Sequence, residues 1–497
     1  MVAAFIHSSE ESDGGWDVKT TIIYGPPGTG KTSRLLDQLE RELERGTDPK
    51  RIAFVSFTTA AVNEATSRAH KRFQIQKRDT PYFKTLHALA FSALGLSRGS
   101  VMDDYFEFGK EYSLRLATEP RVGKDAELLR AYQLCEALRA PFADVARQWK
   151  LPVSEERYDG FMKKLSAYKS DHAQIDYSDM LDQFLKEGAS INVDVAFIDE
   201  AQDLTPQQWA VVSQAFASVA RLYVAGDDDQ AIYHWAGADV SKLLELRGDK
   251  VVLGNSFRLP RSVKRVADSI SARIRVRQSK DWSAADRVGL YRCGLALASI
   301  DVDPARGSWM LLARNSYSLS MYVDRIEALG IPYRLSGREA LRTGEVESYL
   351  AMCALRRGEA VKGDAAKRML LRGEWSGERA KFSIGEKVTR AKLDARALED
   401  EHALLKNIPP ARLRFMRRIE ARGDWSCRVD ISTIHHAKGS EADHVVLCPD
   451  VSRATNSGLA TDAEHRVWYV ASSRARESLW ILKKSAEFSY NVPVGAT

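Results

Sequence analysis

Cysteine is scarce in this 497-residue chain. The five present (Cys135, Cys293, Cys353, Cys427 and Cys448) are odd in number, far apart, and form no C-x-x-C pair. That excludes a zinc ribbon or a disulfide framework and points to a reducing compartment. Long apolar runs are missing as well, since no uninterrupted stretch approaches the ~18–20 residues of a membrane span. The N-terminus, Met1–His7, lacks the basic region of a signal peptide and passes at once into Ser8-Ser-Glu-Glu-Ser-Asp-Gly-Gly15. A cytoplasmic protein without membrane association is expected. Neither sign of charge dominates: 73 Lys and Arg against 67 Asp and Glu leave a net +6. A surplus that small does not establish a nucleic-acid partner.

What is present is an ordinary globular composition, 44% hydrophobic and 28% charged. The length is about three times a typical ~150-residue domain, so several domains are expected. Short apolar runs alternate with helix-period segments, the pattern of parallel α/β folds. Thr20–Tyr24, Ile52–Phe57, Val193–Ile198 and Leu222–Ala225 read as strands of one nucleotide-binding sheet. Val251–Leu253, Trp309–Ala313, Val445–Leu447 and Leu479–Leu482 read as a second. The long segment between the second and third strands carries little strand signal. Helices over Ala126–Ala140 and Tyr158–Tyr168 make it an inserted subdomain rather than a loop. Arg356–Arg428 holds 19 Lys and Arg against 11 Asp and Glu. Composition alone makes this stretch a solvated helical face, with Lys387–Leu405 as a mixed-charge helix.

Gly25-Pro26-Pro27-Gly28-Thr29-Gly30-Lys31-Thr32 follows the first strand and opens the helical run Ser33–Arg45. This is G-x-x-x-x-G-K-T in the strand–loop–helix context that phosphate binding requires. Its glycines let backbone N–H groups turn inward, and the helix N-terminus adds partial positive charge. Lys31 then neutralises β- and γ-phosphate oxygens, while Thr32 coordinates Mg2+. The second half of an ATP site, a carboxylate at a strand end, is supplied by Asp199-Glu-Ala-Gln-Asp203. Asp199 is expected to hold Mg2+ through water, and Glu200 to orient and deprotonate the attacking water.

From here the residues resemble one family. Asp199–Asp203, followed by Gly226-Asp-Asp-Asp-Gln230-Ala-Ile-Tyr233-His-Trp235, is similar to the second and third motifs of UvrD/Rep/PcrA-type superfamily 1 DNA helicases. Ser56–Thr59 with Ala60–Asn63, Thr85-Leu-His87, Ser256-Phe257-Arg258, Ile431–Glu441 and Trp468–Arg476 resemble the remaining motifs in order. The resemblance spans Gly25 to Arg476 and implies two RecA-like motor domains of a P-loop NTPase, carrying helical insertions, with ATP in the cleft between them. The first domain is expected over 1–100 and 175–250, and a helical insertion over 101–174. The second is expected over 251–340 and 429–497, with a reduced basic insertion over 341–428.

The same resemblance assigns roles. Gln230 contacts the γ-phosphate, Arg258 and Arg474 reach it from the second domain, Glu441 contacts the ribose, and Phe257 stacks on the adenine. With Ser33 these complete the expected ATP site. Phe57, Thr58, Thr59, Asn63, Thr85, His87, Thr433 and His435 match DNA-contacting positions, and Tyr233 and Trp235 match base-stacking ones. Read alone, each arginine is more often a surface or salt-bridge residue, and each aromatic a half-buried core residue. One departure concerns the base: family members carry a Gln about twenty residues before the P-loop, and residues 1–24 contain none. The 21 residues after Arg476 are too few for a fused nuclease domain. The reading is an ATP- and Mg2+-dependent helicase translocating 3′→5′ on single-stranded DNA, acting on tailed duplexes as a monomer beside replication or repair proteins. Its rivals are a translocase that strips proteins with little unwinding and a P-loop regulatory ATPase that does not act on DNA.

Overall fold

The computed structural model describes residues 18–56, 59–116, 124–373, 382–383, 385–393 and 398–492. They form two compact units. One runs to Leu259 and takes in Ser271–Ala285 and Asp462–Val467; the other holds Pro260–Ile270, Asp286–Thr461 and the chain from Trp468.

The first unit is built on a six-stranded parallel sheet. Its strands are β1 (Lys19–Tyr24), β2 (Ile52–Ser56), β3 (Tyr82–Thr85), β4 (Val195–Asp199), β5 (Arg221–Gly226) and β6 (Asp249–Val252), in the order β3-β2-β4-β5-β1-β6. Both faces are covered, which is why β2 and β4 are buried at every residue. Strand periodicity divides them. Ile22, Tyr24, Val55, Ile198 and Val224 pack under helices Leu86–Ala93, Tyr177–Lys186 and Pro206–Ala215, while Ile23, Phe54, Phe197 and Tyr223 pack under helix Lys31–Glu44. Helices Phe106–Glu111, Ala126–Leu138, Phe142–Trp149 and Glu155–Asp171 have a core of their own around Phe108, Tyr132, Phe161 and Tyr168.

The second unit carries a seven-stranded sheet. Its strands are β7 (Leu290–Leu295), β8 (Trp309–Ala313), β9 (Tyr333–Leu335), β10 (Arg338–Glu339), β13 (Val429–Thr433), β14 (Ala442–Cys448) and β15 (Ala475–Leu482). The order is β10-β9-β13-β8-β14-β15-β7, parallel except for the β9–β10 pair. A separate antiparallel pair is formed by β11 (Val361–Lys362) and β12 (Lys387–Val388).

Three expectations are corrected. Val251–Leu253 does not open the second sheet, because β6 pairs in register with β1. The segment after the second strand is not wholly helical: four residues, Tyr82–Thr85, add an edge strand, too short to stand out as a period. The basic stretch is no solvated face. Its helices Gly363–Leu370 and Pro410–Arg422 send Met369, Leu370, Leu413, Met416 and Ile419 into the second unit's core. Among its described residues, Lys387–Leu405 holds β12, a 3-10 turn at Arg390–Lys392 and the one-turn helix Glu401–Leu404.

A buried ion cluster ties helix Lys31–Glu44 to the sheet. The fully buried carboxylate of Glu42 accepts from Arg221 Nε (2.9 Å), Tyr223 Oη (2.7 Å) and Arg45 Nη1 (2.7 Å). Burial pushes its pKa up, but the Arg221 and Tyr223 hydrogen bonds outweigh that and hold it below the usual range. Its stabilisation is therefore present above the unfolded carboxylate's pKa and lost as pH falls through the folded one. Glu42→Gln is expected to cost about 1.5–3 kcal/mol and to flatten the acid limb of a thermal-melting profile against pH; an unchanged profile contradicts this role.

Candidate nucleotide site and DNA-facing residues

β1 ends at Tyr24, and Gly25–Gly30 turn the chain into helix Lys31–Glu44. Gly28 and Gly30 sit at φ +72° and +81°, a region open to glycine at little cost. Space is as tight as conformation. A Cβ on Gly25 would lie 2.0 Å from Lys31 Cγ, and one on Gly28 2.2 Å from Arg258 Cβ. Thr29 closes the loop, its N–H and Oγ1 both donating to Pro26 O at 3.2 and 2.7 Å. Outside the loop, Gly25 N–H donates to Gly226 O (3.0 Å), Ser256 Oγ to Pro27 O (2.7 Å) and Phe257 N–H to Gly28 O (2.8 Å). The helix N-terminus has no side-chain cap and no acidic residue in its first turn, which leaves its N–H groups suited to an anion. Lys31 Nζ folds back to Gly25 O at 3.1 Å, and Ser33 Oγ accepts from Arg68 at 3.0 Å.

Strand pairing brings the acidic residues to this loop. At the end of β4, Asp199 Oδ2 accepts from Thr32 Oγ1 at 2.9 Å and Oδ1 accepts from Glu200 N–H at 2.9 Å. Burial, then the neighbouring Glu200 charge, push the Asp199 pKa up to about 6 against the opposing effects of Lys31 and Thr32. A buried carboxylate beside a hydroxyl is a hard-oxygen pair that suits Mg2+, which takes one or two protein oxygens and completes its shell with phosphate and water. Among the described residues no cluster of three or more His, Cys, Asp or Glu is placed to hold a metal by protein ligands alone. Glu200 itself adopts φ +54°, a strained conformation for a non-glycine residue that turns the chain sharply out of the strand.

Gln202 was not singled out by sequence reasoning, yet it joins the motifs. Fully buried, it donates through Nε2 to Glu200 and accepts from Asp227 N–H on Oε1 at 3.0 Å. Asp227 Oδ2 in turn accepts from Gln230 Nε2 at 2.6 Å. Expected base and expected γ-phosphate contact thus share one hydrogen-bonded path. The motif spelling Asp199–Asp203 was the only available hint.

Phe257 and Arg258 fall in the first unit rather than the second, because after β6 ends at Val252 the chain still bonds to the phosphate loop, Ser256 Oγ to Pro27 O and Phe257 N–H to Gly28 O. Phe257 is 77% exposed beside the loop, and Arg258 packs over Gly28. Glu441 and Arg474 lie in the second unit. Glu441 faces Arg476 at 3.6 Å. Arg474 is buried, donating from Nε to Val470 O (2.9 Å) and from Nη1 to Ser440 O (3.1 Å).

Of the expected DNA contacts, Phe57 and Thr58 lie outside the described residues. Thr59 and Asn63 are exposed on helix Thr59–Phe73. Thr85 caps helix Leu86–Ala93, its Oγ1 accepting from Ala88 N–H at 3.3 Å. His87 lies edge-on to Tyr177, ring centroids 5.5 Å apart, and burial pushes its pKa down to about 4, so it is neutral at physiological pH. Trp235 is 54% exposed, which rules out a core aromatic, and its ring meets Tyr233 edge-on at 6.5 Å. Burial pushes the Tyr233 hydroxyl up to about 12. In the second unit, Thr433 ends β13, where its Oγ1 accepts from His436 N–H at 3.4 Å, and His435 is half-buried. No helix among the described residues is long and apolar enough to cross a membrane.

Comparison with known proteins places these features. The UvrD/REP helicase N-terminal domain family matches residues 17–250, and the UvrD-like helicase C-terminal domain family matches 428–482. Together they cover more than half of the chain. The ATP-dependent DNA helicase PcrA of Bacillus subtilis is 24% identical over 311 residues, 55% of this chain and 41% of PcrA. PcrA of Staphylococcus aureus is 22% identical over 304 residues, 54% and 40% of the two chains. The ATP-dependent DNA helicase Rep of Buchnera aphidicola is 19% identical over 359 residues, 63% and 52%. The matched region thus spans about half or less of each of these relatives. With its two parallel α/β sheets, P-loop and ordered motifs, the chain belongs to the UvrD/Rep/PcrA-type superfamily 1 helicases.

Proposed function

We propose that the chain is an ATP-hydrolysing DNA helicase that translocates 3′→5′ along single-stranded DNA and separates tailed duplexes in replication, repair or recombination. The observation that carries this reading is the path Glu200–Gln202–Asp227–Gln230, which ends five residues before an exposed tryptophan. Chemistry at the phosphates and a base-stacking surface therefore share one short loop.

The residues divide the work. The P-loop amides and Lys31 hold the triphosphate, and Thr32 with Asp199 holds Mg2+, which supplies charge neutralisation at the β- and γ-phosphates. Glu200 accepts the proton of the attacking water, and Gln230 reports the γ-phosphate. Glu441 and Arg474 take the ribose and transferring-phosphoryl roles of the family, and Phe257 stacks on the base. Loss of the γ-phosphate alters the Gln230 contact and, through the same turn, the setting of Tyr233 and Trp235 on the DNA. Thr59, Asn63, Thr85, His87, Thr433 and His435 hold the backbone, so affinity is largely independent of sequence. We assign the chain no membrane role, a cytoplasmic setting and a monomeric working form.

Unwinding of 3′- and 5′-tailed duplexes tests the reading directly. Opening of the 3′-tailed duplex alone is expected; opening of neither, with ATP still consumed, favours a translocase that strips proteins. Glu200→Gln is expected to keep nucleotide binding and lose steady-state turnover, and normal turnover would show that another group is the base. Trp235→Ala is expected to lower single-strand affinity by ~1–3 kcal/mol while changing stability by no more than ~0.5 kcal/mol, as for an exposed side chain. A DNA titration and a melting curve on one variant read both; a large fall in melting temperature with DNA binding intact contradicts the stacking role.

A further inference from the structure

Lys280 lies in neither matched family segment, and nothing in Arg277-Gln-Ser-Lys280-Asp-Trp282 marks it as functional. Its side chain is nevertheless fully buried, with Nζ 3.0 Å from Asp227 Oδ1, 2.8 Å from Asp229 Oδ2 and in contact with Asp228 Oδ1. An unpaired ammonium would not persist there. The three carboxylates raise its pKa despite burial, so it is charged. Other groups complete the cluster: Arg277 Nε donates to Asp229 at 2.9 Å, Gln278 N–H to Asp228 at 2.8 Å, and Arg466 Nε to the Asp228 carbonyl at 2.7 Å.

Asp227 has two oxygens and two tasks. Oδ1 faces Lys280, while Oδ2 accepts from Gln230 Nε2 and the backbone N–H donates to Gln202 Oε1. Gln202 then receives no freedom of its own, because its Nε2 is committed to Glu200. Rotation of the Asp227 carboxylate would move Gln230, and displacement of its backbone would move Gln202 and Glu200. Lys280 is the cation in direct contact with that carboxylate, 3.0 Å from Oδ1. It also offsets the mutual repulsion of three adjacent carboxylates lying against the sheet's carboxyl end.

We propose that Lys280 is a positioning residue for ATP hydrolysis, acting through Asp227 on both Gln230 and Glu200. This deepens the function proposed above and rests on it. A side chain that merely stabilises the fold would, when replaced, lower the folded fraction and leave turnover per folded molecule unchanged. A positioning residue lowers kcat in folded protein while leaving nucleotide affinity in place, since the P-loop and Lys31 do not depend on it.

The test uses the full chain as wild type, Lys280→Met and Lys280→Arg. Melting temperature, affinity for a fluorescent ATP analogue, and kcat and KM for ATP with single-stranded DNA are measured for each. In folded Lys280→Met, kcat is expected to fall at least tenfold, towards the ~100-fold that an ångström-scale misplacement costs. Analogue affinity and KM are expected to stay within about threefold, since the P-loop contacts that set them are untouched. Lys280→Arg keeps the charge and should recover part of kcat; it also carries the test if the methionine variant does not fold. Wild-type kcat in either folded variant, with only the melting temperature lowered, overturns the positioning role alone. Loss of analogue binding in step with kcat likewise overturns it. Absence of turnover in the wild type overturns both this role and the helicase reading.

Discussion

Parallel pairing of β4, β5 and β1 puts three chain exits side by side at one edge of a sheet, and the rest of the site depends on that adjacency. β1 ends in the phosphate loop, β4 in Asp199 and Glu200, and β5 in Asp227. The register Tyr24↔Gly226 and the bond from Gly25 N–H to Gly226 O leave the three turns no room to drift apart. Thr32 can then reach Asp199 across 167 positions of sequence, and Gln202 can bridge two turns with one amide.

The same arrangement concentrates negative charge. Asp199, Asp227, Asp228 and Asp229 are all buried, and each charge taken from water must be repaid by a partner. The outcomes differ with the whole surroundings: burial and the charges of Asp229 and Asp227 push Asp228 up even though it touches Lys280. Asp227, facing Lys280 and Lys31, keeps a pKa below the usual range despite burial. Asp199, with Glu200 beside it, is pushed up to about 6. The one without a tight protein cation is the one a divalent ion would neutralise, so the imbalance at Asp199 fits the metal role that its strand-end position suggests.

Much of this was legible in residues 19–32 and 195–235, where motif and secondary structure coincide. The P-loop needs glycine at Gly28 for φ and at Gly25 for space, and such constraints leave a spelling. The Trp235 exposure was not legible, because a Trp in a polar stretch reads equally well as core; only the fold leaves it in solvent. β6 was misplaced because Val251–Leu253 is as apolar as any second-sheet strand and its partner is set by register alone. Gln202, present only as one letter of its motif, and Lys280, outside any motif, were hard to read for a deeper reason. Their importance lies in what they touch, at separations of 25 residues for Gln202 and Asp227 and 52 for Lys280 and Asp228, and a local pattern carries no trace of that. The basic stretch misled in the opposite direction, its charge count masking the Met and Leu faces that pack into the second core.

The central claim is that phosphate chemistry and a single-stranded DNA track are joined in this chain. Steady-state ATP hydrolysis by the intact protein, measured with and without single-stranded DNA, tests it most directly. The account predicts slow turnover alone and strong stimulation by single-stranded DNA. Turnover indifferent to DNA, or absent under both conditions, would contradict it.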